Sequence, residues 1–159
     1  MSGWENFLVA QVGASAALAG LVFVGVSINL ARILSISGLP ESALEALVLL
    51  LAVVVLSSLL LMPQPLTAAG IELLLAGLVD TAILLFLVAY SRRKIDPRYY
   101  GYLWLRGTLS LCATLPFAIA GIAVLIWNIN GLYWIVPATL LSITVAIYDA
   151  WVLLVEINR

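Results

Sequence analysis

The chain has no histidine, one cysteine and one lysine. Without histidine it lacks the commonest ligand of haem and zinc and the usual proton relay at neutral pH. Cys112 stands alone in an apolar run, which excludes a disulfide within the chain and a thiolate metal cluster. Lys94 lies in a charged loop, so a retinal Schiff base inside a helix bundle is excluded. Charge of either sign is scarce: 9% of residues are charged, against roughly 25% in soluble domains. A formal net charge of −1 creates no basic field for phosphate, which argues against nucleic acid as a partner. No cofactor, metal site or catalytic constellation is expected, and the chain reads as a non-enzyme. No motif points to a known family.

Apolar residues fill the space that charge leaves. They make up 65% of the chain, more than a soluble fold of 159 residues can hide in its interior. The expected fold is all-α: a polytopic transmembrane helix bundle forming one domain over residues 1–159. Small-residue pairs around residues 14–19 mimic a cleavage site, but no Lys or Arg precedes the apolar run, so a signal peptide is not expected. No soluble domain is expected either, which leaves any activity to the membrane or the short loops.

Five spans are expected, over residues 7–34, 43–62, 67–90, 102–127 and 132–155. Gly38 suits a helix stop and Pro40 the first turn of the next helix. Glu41 and Glu45 then fall in the opening turns of the second span, where the helix dipole favours anions. Pro116 predicts a kink in the fourth span. With the N-terminus outside and the C-terminus cytoplasmic, Arg32, Arg92, Arg93, Lys94, Arg98, Arg106 and Arg159 all fall at or near the cytoplasmic face. The loops at 63–66 and 128–131 contain no Lys or Arg. This separation obeys the positive-inside rule and predicts a multi-pass protein of a plasma or bacterial inner membrane. Trp4, Trp127, Tyr133 and Trp134 form an outer aromatic belt, and Tyr90, Tyr99, Tyr100, Tyr102 and Trp104 an inner one. An odd number of crossings excludes a simple duplication, so inverted repeats within one chain are not expected.

The first span carries no charge between Glu5 and Arg32 and no proline. Residues 4–37 would extend roughly 50 Å as one helix, more than a hydrocarbon core of about 30 Å requires. One stripe is small: Ala10, Gly13, Ala17, Gly20, Ser27 and Ala31. Another is polar or bare: Gln11, Ser15, Gly25, Asn29 and Arg32. Small residues permit close helix approach and polar ones avoid lipid, so protein or water is expected around this helix. Gln11, Ser15 and Asn29 are pore or ion-path candidates, with Leu18 and Val22 as a hydrophobic constriction. The competing reading is a tightly packed central helix whose polar groups bond to neighbours.

Asp80 lies near the middle of the third span, where an acid costs about 2.5–3.5 kcal/mol on insertion scales. Glu72 precedes it by about 12 Å along the axis, rotated by roughly 80°. Both are ion-path candidates: a mid-membrane carboxylate can hold a cation or a proton. The alternative is a protonated Asp80 hydrogen-bonded between helices. Arg106 and Asp149 sit at equal depth near the cytoplasmic ends of the last two spans and are expected to form a structural ion pair.

These features point to a homo-oligomeric channel or ion-conducting protein with the first helix near the pore axis. Its partners would be the lipid bilayer, further copies of itself, and an inorganic ion or proton. The alternative is a non-catalytic accessory or scaffold subunit of a larger membrane complex.

Overall fold

The computed structural model describes residues 3–93 and 100–157, and among them every regular element is helical. Lys94, Arg98, Tyr99 and Arg159, and the side chains of Tyr100 and Tyr102, lie outside the described residues. The helices are α1 (Glu5–Ile28), α2 (Leu30–Ser35), α3 (Leu39–Leu61), α4 (Leu66–Arg92), α5 (Tyr100–Trp127) and α6 (Ile135–Ile157), with a 3₁₀ turn (Asn128–Trp134) joining the last two.

Glycine, proline and asparagine set most of the boundaries. Gly38 precedes α3 with φ 93°, a conformation that costs a residue without a Cβ little. Pro40 occupies the first turn of α3, where its missing N–H is no loss. Pro65 holds the extended backbone that starts α4. Asn128 takes a positive φ of 54°, tolerated by asparagine, and the chain reverses there. Gly131 then sits directly on the backbone of Ala123 and Val124, where any Cβ would collide.

The expected single helix over 7–34 is interrupted. Asn29 leaves helical geometry (φ −108°, ψ 16°), and its Nδ2 donates to the Gly25 carbonyl at 3.0 Å. A side chain that bonds back to a nearby carbonyl competes with the helix, so α1 ends and the short α2 begins. α5, by contrast, continues through Pro116 as one helix.

Four stretches are long and apolar enough to cross a membrane: Glu5–Ile28, Leu39–Leu61, Leu66–Arg92 and Leu103–Glu156. The chain is therefore a multi-pass membrane protein. The fourth stretch contains both α5 and α6, which pack side by side across the 3₁₀ turn. Trp4, at the start of α1, stacks edge-on against Tyr133 in that turn, with centroids 5.0 Å apart. Trp4 thus shares one end of the bundle with Trp127, Tyr133 and Trp134.

α3 is the central helix. It packs against α1, α4 and α6, whereas α1 rests almost wholly on α3. In the most apolar window of each, 44% of α3 is buried but only 11% of α1. α4 and α5 form the most extensive pair, and α6 bridges α3 and α5. One core cluster gathers Leu8, Leu56, Leu73, Phe117 and Val124; a second gathers Leu49, Leu84, Ala113 and Val145; a small third joins Ile33, Leu39, Ala43 and Leu153. Lipid tails are as apolar as leucine, so such contacts hold helices together by packing density and buried hydrogen bonds rather than by excluding water.

Candidate functional site: a polar ladder on α5

The buried face of α5 changes character along its length. Phe117, Ala120 and Val124 are apolar, while Arg106, Ser110 and Thr114 follow one another at four-residue spacing on the same inward side. All three polar residues are at least 96% buried, so each needs a partner inside the bundle.

Glu45 of α3 answers Arg106. Arg106 Nε donates to Glu45 Oε2 at 2.5 Å, and Nη2 contacts the same oxygen. The Ser110 hydroxyl donates to Glu45 Oε1, with the Arg106 carbonyl as its alternative acceptor at 2.8 Å. One turn further, the Thr114 hydroxyl donates to the Ser110 carbonyl at 3.0 Å. Thr81 of α4 donates to Thr114 Oγ1 at 3.0 Å, with the Gly77 carbonyl as alternative at 2.7 Å. From α6, Ser142 donates to the Ala113 carbonyl at 3.1 Å. Four helices thus contribute to one polar column within the apolar bundle.

Asp149 joins the charged end of the column. The contacts Gly131–Val124 and Ser142–Ala113 define an antiparallel α5–α6 register that sets Asp149 level with Arg106. Asp149 is 1% exposed, lies within electrostatic range of Glu45 and Arg106, and its Oδ2 has no hydrogen-bond partner among the described residues. The direct ion pair of Arg106 is therefore with Glu45 rather than with Asp149. The sequence pattern assigns Glu45 to the helix dipole. It enters the cluster instead because α3 runs through the centre of the bundle and carries its second turn inside. The spacing of Arg106, Ser110 and Thr114 was the available signal for this column, and Glu45 gave none beyond its charge.

The other candidates are spread over three places. Ser15 is fully buried and Gln11 half-buried on α1, with Ser15 Oγ and Gln11 Oε1 unpartnered among the described residues. Asn29 marks the helix break. Leu18 and Val22 pack against the second core cluster. Glu72 accepts from Gln64 Nε2 at 2.9 Å, and the same nitrogen donates to the Leu59 carbonyl at 3.1 Å, so Glu72 braces the α3–α4 loop. Asp80, beside Thr81, is 6% exposed with Oδ2 unpartnered among the described residues. The small stripe of α1, including Ala10, Gly13, Ala17 and Gly20, faces outward. Cys112 is exposed on the outer side of α5.

Two carboxylates, Glu45 and Asp149, thus face one guanidinium. A proton or a small cation balances such a set, and neighbouring hydroxyls at Ser110, Thr114 and Thr81 offer further oxygen ligands. Comparison with protein-family models, with curated proteins and with solved structures finds no match.

Proposed function

We propose that this chain is a five-span membrane protein, N-terminus outside and C-terminus cytoplasmic, whose copies assemble into a homo-oligomer that conducts a proton or small inorganic cation. The observation that carries this reading is the charge imbalance of the buried cluster: Glu45 and Asp149 against Arg106, with Asp80 further along α4. Unpaired acids within a membrane are expensive and are characteristic of ion and proton pathways. The outward small face of α1 supports assembly, because it permits close approach of a second helix. In that arrangement α1 faces the assembly axis, while Gln11 and Ser15 line its seam with α3. The basic residues and aromatic belts support the orientation in a plasma or bacterial inner membrane.

Purified protein in phospholipid vesicles provides the test, with a pH-sensitive dye and a potassium-sensitive dye inside. Flux above that of empty vesicles is expected, and Asp149→Asn and Asp80→Asn should each lower it at least tenfold. Unchanged flux in both variants would remove the conduction model. A second reading, an accessory subunit of a larger complex, draws support from the same exposed face of α1. It predicts no flux from the purified chain and a constant protein partner on isolation from native membranes.

A further inference from the structure

α1 and α6 make little direct contact, and residues of both line an apolar groove of about 320 Å³. Leu18, Val22 and Val26 form one wall, Leu50 the floor, and Ile147 and Trp151 the other wall. The break at Asn29 turns α2 back toward the bundle. Ile33, 1% exposed, thereby closes the lower end. Arg32 immediately precedes Ile33, is exposed, and has no ion pair among the described residues.

We infer that this groove is a binding site for one anionic phospholipid, with an acyl chain between α1 and α6 and the phosphate group at Arg32. Apart from the indole of Trp151 the lining side chains are aliphatic, which suits an acyl chain. Arg32, next in the chain to the lining residue Ile33, supplies a cation that selects the headgroup by charge. Gly25 also lines the groove, and a Cβ there meets no atom within 4 Å. A larger side chain at this position therefore fills the groove without displacing protein. The site is independent of conduction and of the buried charge cluster.

Native mass spectrometry of the full chain in mild detergent tests this, with phosphatidylglycerol and phosphatidylcholine of identical acyl chains as probes. The wild type should retain one phosphatidylglycerol per protomer, about fivefold over phosphatidylcholine, the worth of one arginine near an anionic lipid. Arg32→Gln should abolish the preference, whereas Arg93→Gln, another exposed arginine, should keep it. Gly25→Leu should lose both lipids while its circular dichroism stays helical. Equal retention of the two lipids by the wild type would overturn the site. So would full retention by Gly25→Leu, or a lipid-free dimer showing that a second copy occupies the groove.

Discussion

Glycine is used in opposite ways at the two sides of this bundle. On α4 and α5, Gly77 and Gly121 mark places where backbone meets backbone: a Cβ on Gly77 would stand 2.5 Å from Ala118 N, and one on Gly121 would strike Leu74. On α1, Gly13, Gly20 and Gly25 have nothing within 4 Å of where a Cβ would be. The residue type is the same, yet of these two sides it is α4–α5 that converts it into close packing. A small residue in a membrane helix therefore measures capacity for approach. The identity of the approaching helix depends on the rest of the face.

The tight side also carries the polar column, and its charged end should be the most sensitive point of the fold. Glu45→Ala leaves Arg106 buried without its direct partner, and a loss of about 3–5 kcal/mol is expected. Unfolding in mixed detergent micelles would measure it, and Glu45→Ala combined with Arg106→Leu should recover part of the loss. If the single variant unfolded like the wild type, the ion pair would contribute nothing to the protomer. Next comes Gly77→Leu, which forces α4 away from Ala118 and should cost about 1–3 kcal/mol by overpacking. The same measurement applies. A wild-type midpoint for Gly77→Leu would erase the contrast between the two sides.

Much of this was legible in the residues. Long apolar runs gave the helical class, and Gly38 and Pro40 gave a boundary, because these residues act through local backbone geometry alone. The break at Asn29 was harder, since it depends on one side chain bonding back to Gly25 rather than onward to a neighbouring helix. Helix order in space was not legible. Polar and small stripes on α1 resemble the markings of a central helix, but α3, nearly featureless apart from its two early acids and its serines, took that position. In lipid every helix is apolar all round, so amphipathic pattern no longer reports which face is inside. Arg106 and Asp149 were recognisable as a deep charged level. Glu45 was not, because its depth follows from the packing of α3.

The smallest effect on the protomer is expected where the comparison is sharpest. Gly20→Leu adds a side chain to a site with no neighbour within 4 Å, on a face the protomer leaves outward. Leucine is a better helix former than glycine, so protomer stability should stay level or rise by up to about 1 kcal/mol. The same side chain would hold two α1 helices apart if copies meet through Ala10, Gly13, Ala17 and Gly20. Light scattering after size exclusion in mild detergent separates the two consequences. A protomer as stable as the wild type but no longer oligomeric assigns the outward glycines to assembly. An intact oligomer would instead leave that face to lipid, and the contrast with Gly77 would then be one between a helix packed by protein and a helix packed by the bilayer.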